Sequence, residues 1–207
     1  MSAPDRQQHW NSFYATKAED QVSWFQAEPA ISVDLIRAAG GIESSAVVDI
    51  GGGASRLVDA LLATGYQDLT VLDLAAPALD QAKTRLGNAA AQVDWIVADV
   101  TTWDPPRHYD VWHDRAAFHF LTAAKDREAY VRTLRRAVRP GGHAIIATFA
   151  MDGPERCSGL PIVRYDPEEL AATLGHDFRL IETRRHAHMT PFGTSQSFQF
   201  SLFKLKV

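Results

Sequence analysis

The stretch Val47-Val48-Asp49-Ile50-Gly51-Gly52-Gly53-Ala54-Ser55-Arg56-Leu57-Val58 constrains the fold more than any other part of the chain. An apolar β-type run ends in an acid, passes through three glycines, and becomes helical in pattern at Leu57, Val58, Leu61 and Leu62. This predicts the strand, glycine loop and helix of a nucleotide-binding α/β unit. Glycine lets a ligand approach the backbone, and the helix N-terminus supplies free N–H donors. A second strand, Leu69–Asp73, ends in another acid about 20 residues beyond the glycines, where a carboxylate can hold a ribose diol.

Two details argue against a dinucleotide. The third glycine of that fingerprint, which permits close helix–strand packing, is replaced by Arg56. Asp49 precedes the loop, and a carboxylate there repels pyrophosphate but attracts an ammonium group. S-adenosylmethionine (SAM) has an amino-acid end, a ribose diol and no phosphate. The pattern Asp49-x-Gly51-x-Gly53, then Asp73, then Ala98-Asp99-Val100, resembles the class I SAM-dependent methyltransferases over nearly the whole chain. The resemblance implies that Asp49, Gly51, Gly53, Ser55 and Arg56 border the cofactor's amino-acid end. Asp73 and Leu74 then meet the ribose, and Asp99 and Val100 the adenine, with His113 and Trp24 as further contacts.

With 207 residues, 46% apolar and 22% charged, the chain is expected to form one soluble domain, monomeric or homodimeric. A net charge of −4 predicts no nucleic-acid partner. The lack of a long apolar run or a leader pattern predicts a cytoplasmic protein with no membrane partner. Cys157 is the lone cysteine, which excludes an internal disulfide, and the histidines lack metal-ligand spacing.

Residues 1–28 are read as an aromatic arm or lid (Trp10, Phe13, Tyr14, Trp24, Phe25) and residues 29–207 as the Rossmann-like core. Helices are predicted from Pro29 to Gly40, at Ala75–Leu86, at Arg127–Val138 and from Asp166 to Gly175. Strands are predicted at Val93–Val97, Tyr109–Asp114, His143–Phe149, Phe178–Ala187 and Gln196–Lys206. Arg139-Pro140-Gly141-Gly142 reads as a turn before strand five, and 152–161 as a loop without regular structure. The expected fold is α/β: a doubly wound seven-stranded sheet of order 3-2-1-4-5-7-6, its last strand antiparallel, with helices on both faces.

Asp114-Arg115-Ala116 resembles the Asp-Arg segment of thiopurine and thiol/halide methyltransferases. The arm, with Gly65-Tyr66-Gln67-Asp68, is also similar to protein-lysine N-methyltransferases, whose Asp-Lys-Gly signature is absent here. The leading expectation is methyl transfer from SAM to a small thiol, sulfide or similar soft nucleophile. The alternatives are a protein-lysine methyltransferase and a catalytically silent SAM-binding protein. Arg115, His113 and His119 are the acceptor-side candidates, the histidines as bases and the arginine as an anion stabiliser. Asp114 is read as shaping the site, Cys157 as a pocket wall, and the His186–His188 segment as a loop lining the acceptor pocket.

Overall fold

The structure, a computed structural model, describes residues 3–207, so residues 1 and 2 of the expected arm lie outside it. Seven strands form one twisted sheet: β1 (Ala46–Ile50), β2 (Asp68–Asp73), β3 (Val93–Val97), β4 (Tyr109–Arg115), β5 (Val138–Phe149), β8 (Phe178–Met189) and β9 (Ser195–Leu205). Their order is β3-β2-β1-β4-β5-β9-β8. The first five are parallel, and β9 runs antiparallel to both β5 and β8. This is the expected topology. Its numbering shifts because a short ribbon, β6 (Arg156–Cys157) and β7 (Leu160–Pro161), interrupts the segment expected to be irregular.

Alternation along each strand divides the core. Val47 of β1 packs with Leu35 and Ile36 of helix α2 (Ala30–Ala38) and with Leu57 and Leu61 of α3 (Leu57–Ala63). Val48 and Ile50 face the other way, against Tyr130 and Leu134 of α5 (Ala124–Ala137) and Leu170 of α6 (Pro167–Leu174). A side-chain period of two forces this split when both faces are covered. Helix α4 (Ala76–Leu86) sends Leu79 into the first cluster.

Helix α6 starts as expected: Asp166 accepts from the Glu169 N–H at 2.8 Å in a capping box, and Gly175 ends it. The predicted turn at 139–142 is a correction. Val138 already pairs with Tyr109, and the register shifts before Val111 meets His143, so the Pro-Gly-Gly residues form an irregularity within β5. No helix among the described residues is long and apolar enough to cross a membrane.

The arm begins with α1 (Ala3–Thr16), which lies beside α4: Gln81 Nε2 donates to the carbonyls of Tyr14 and Lys17, each at 2.8 Å. Glu19 then bridges Arg56 and Arg85, both at 2.5 Å. His188 Nε2 donates to the Ser23 carbonyl at 2.8 Å, and Gln26 Nε2 donates to His186 Nε2 at 3.4 Å. Both histidines sit in β8 and tether the arm. They do not form a loop at the pocket, a correction to their expected place.

Candidate functional site

A cleft opens at the C-terminal ends of β1, β2 and β4. Open α/β sheets bind ligands there, because neighbouring crossovers diverge to opposite faces. Asp49, Gly51, Gly52 and Ser55 form its floor; Asp73, Leu74, Ala98, Asp99 and Val100 line one end. Arg115, Phe120 and Cys157 line the other, and the arm covers it with Arg6, Trp10, Tyr14 and Trp24.

The glycines are there for close approach. A Cβ on Gly52 would meet Asp49 Oδ2 at 2.6 Å, and one on Gly53 would meet Asp73 Oδ2 at 2.7 Å, where φ is also +43°. Gly51 and Gly52 border the cleft, while Gly53 serves it from beneath by leaving room for Asp73. Ser55 lines the cleft and accepts from the Leu57 N–H at 3.1 Å.

Each acid has a distinct environment. Asp73 is buried, its Oδ1 accepts from the Ala75 N–H at 2.7 Å, and burial pushes its carboxyl up to about 7. Asp99 is also desolvated, which works to raise it. Arg6 at 2.9 Å and Thr101, donating through both N–H and hydroxyl, outweigh that and hold it below the usual carboxylate range. Asp49 accepts from His113 Nδ1–H at 2.7 Å.

The expected bases do not stand free. His113 lines the cleft, yet its Nδ1 is spent on Asp49 and its Nε2 accepts from the Ser32 hydroxyl at 2.9 Å. His119 is fully buried outside the lining, packed on Phe120 and Phe149, and burial followed by the charge of Arg115 lowers it to about 3. It is a neutral core histidine, which corrects its expected role. Arg56 is a second correction: it lies outside the lining, where it pairs with Glu19 and covers the Phe25 ring at 5.5 Å.

Arg115 does reach the cleft. Its Nη2 donates to the Trp24 carbonyl at 2.6 Å, its guanidinium carbon lies 5.2 Å from the Phe198 ring centre, and its buried Nε has no partner. It makes no ion pair among the described residues, and burial lowers it to about 10, so it remains a cation at neutral pH. Cys157 beside it is a buried thiol pushed up to about 11 by burial, consistent with a wall. Asp114 shapes the turn as expected: it accepts from Tyr130 Oη at 2.7 Å and from the Ala117 N–H at 2.8 Å, and burial pushes it up to about 6. Arg6 is a lining residue that sequence reasoning missed, since nothing local marks the first helix as crossing to Asp99.

The sheet order and the helices around it match a Rossmann-like methyltransferase fold. Residues 47–142, a little under half of the chain, match the family model described as a methyltransferase domain. A stretch of 112 residues is 30% identical to the ubiquinone biosynthesis O-methyltransferase of Nitrosomonas europaea, covering 53% of this chain and 46% of that protein. The chain thus spans about half the length of that relative. Among solved structures, one from work on converting a disulfide bond into a thioacetal group during echinomycin biosynthesis matches with a TM-score of 0.75 at 20% identity, covering 97% of this chain and 93% of the other. The Burkholderia thailandensis 1,6-didemethyltoxoflavin-N1-methyltransferase, with S-adenosylhomocysteine bound, matches with a TM-score of 0.71 at 18% identity, covering 100% and 92%. Residues 47–142 are thus similar to a methyltransferase domain, and the chain shares the fold of these solved structures.

Proposed function

We propose that the protein transfers the methyl group of SAM to a small-molecule acceptor whose nucleophile is a thiol or sulfide sulfur. The cleft suits this cofactor. Two carboxylates, Asp49 and Asp73, border the glycine floor, and neither makes an ion pair with a lysine or arginine among the described residues, a poor setting for pyrophosphate and a good one for an ammonium group and a diol. Asp73 and Leu74 would hold the ribose, Asp99 and the Val100 N–H the adenine, and Asp49 the ammonium, with Gly51, Gly52 and Ser55 beneath. Bound SAM would supply an electrophilic methyl on a sulfonium, whose sulfur departs as a neutral thioether without assistance.

The chain's own task is then to exclude water, align the acceptor and favour its reactive form. Arg115 carries the reading. It is a partly desolvated cation with no carboxylate partner, at the end of the cleft away from Asp99 and walled by Phe120 and Cys157. Such a cation favours an acceptor that arrives as an anion, and a thiol ionises more readily than a phenol or an alkyl hydroxyl. His113 and His119 offer no free nitrogen to the cleft, which favours an acceptor needing no histidine base.

The relatives' own names span oxygen, nitrogen and sulfur chemistry, so acceptor choice rests on the cleft wall. The arm roofs the cleft with Trp10 and Trp24, which favours a small acceptor over a protein lysine. The test is turnover of methyl-labelled SAM with sulfide, small thiols, amines, phenols and cell lysate. Labelled small thioethers are expected, their formation rising as the thiol ionises. Label in amines, phenols or protein, with none in thiols, would overturn the sulfur assignment.

A further inference from the structure

Asp49 and His113 are register partners across the β1–β4 ladder, so both side chains leave the sheet on the face covered by α2. Ser32 of α2 completes a line: hydroxyl to Nε2 at 2.9 Å, Nδ1–H to Asp49 Oδ1 at 2.7 Å. Ser32, His113 and Asp49 are 0%, 2% and 5% exposed as whole residues. Asp49 and His113 touch the cleft, but Ser32 does not. The connectivity is that of a hydrolytic serine–histidine–aspartate relay, yet a serine sealed in the core cannot attack a substrate. Here it is an anchor.

We infer that Ser32 and His113 are positioning residues for Asp49, holding its carboxylate toward the cleft. This rests on the cofactor reading above. Neutral His113, with its proton on Nδ1 and its Nε2 capped by Ser32, spends one Asp49 oxygen and leaves the negative charge for the cofactor's ammonium. The remaining charged groups around the pair are Asp73 from β2 and Asp114 and Arg115 from β4; β5 places Ile145 beside His113.

Calorimetric titration of SAM at about pH 8, with nitrogen-15 NMR of the imidazole, tests this. The wild-type imidazole should carry its proton on Nδ1, and Ser32→Ala should shift that proton toward Nε2. His113→Ala, which leaves the Asp49 carboxylate without its buried donor, should weaken SAM binding on the order of tenfold. His113→Asn, whose amide can still donate to Asp49, should recover affinity to within about threefold of the wild type. Equal losses in His113→Ala and His113→Asn, or a wild-type proton on Nε2, would overturn the inference, the second even if the variants do not fold. No SAM binding by the wild type would instead overturn the cofactor reading itself.

Discussion

Arg6 Nη2 lies 2.9 Å from Asp99 Oδ2, and its Nη1 lies 2.8 Å from Asp126 Oδ2, so one side chain of α1 ties the arm to the loop after β3 and to α5. These contacts are largely removed from solvent, which makes them stronger than surface ion pairs. Arg6→Ala leaves two carboxylates without their cation and should cost about 1–3 kcal/mol in urea unfolding. Hydrogen exchange should rise across residues 5–28 while the central strands stay protected. Unchanged exchange in the arm would show that its closure does not depend on Arg6.

Arg115 combines a stability cost with a proposed role in turnover. Its charge is disfavoured by burial, so the folded value of about 10 lies below the ordinary 12.5. The unfolded chain binds that proton more tightly, so this group opposes folding at neutral pH and the opposition fades as pH rises through 10. Arg115→Met should therefore be more stable by about 1 kcal/mol or more at pH 7. Turnover of a thiol acceptor should fall on the order of a hundredfold, with SAM affinity nearly kept. Equal losses in SAM affinity and turnover would place Arg115 on the cofactor instead.

Asp73 gives a pH signature of the opposite kind. Its folded value of about 7 stands above the ordinary 3.8, because burial opposes its charge. Its contribution to stability is present in full below 3.8 and is lost as pH rises through 7. Asp73→Asn keeps the Oδ1 acceptor for the Ala75 N–H and removes the charge. Relative to wild type, it should gain stability at pH 8 over pH 5 by on the order of a few kcal/mol, measured by urea unfolding at each pH. An equal difference at both would contradict the assigned burial effect.

Gly53→Ala tests the glycine floor. The new Cβ would press on Asp73 Oδ2 at 2.7 Å and on Ala78 Cβ at 3.2 Å, at a φ that side chains avoid. A loss of about 1–3 kcal/mol is expected, with weaker SAM binding because Asp73 must turn aside. Gly65→Ala is the control: its φ is also positive, but its new Cβ meets only the Glu43 side chain, at 3.3 Å and away from the cleft. It should destabilise without changing SAM affinity in the fraction that remains folded.

Much of this site was legible from local pattern. Asp73 closes its strand, Asp49 stands one residue before the end of β1 and Asp99 two residues past the end of β3, and the strand ends share one edge of the sheet, so spacing alone groups them. His113 and His119 look alike in the sequence, yet one borders the cleft and the other is sealed between Phe120 and Phe149. The difference arises because β4 ends at Arg115 and the chain turns back through Ala116, whose φ is +72°. Arg56 occupies a position where a ligand contact is expected, but Glu19, 37 residues earlier in the chain, draws it outward.

The sequence by itself determined the order of strands, the glycine loop and the three acids, because periodicity and turn chemistry act over a few residues at a time. Tertiary structure decided which polar groups are free. His113 lost both nitrogens to Asp49 and Ser32, Arg6 crossed to Asp99, and Arg115 was left without a carboxylate. Buried donors and acceptors take whatever partner the packing brings within reach, and those partners here lie 64 to 93 residues apart in the chain.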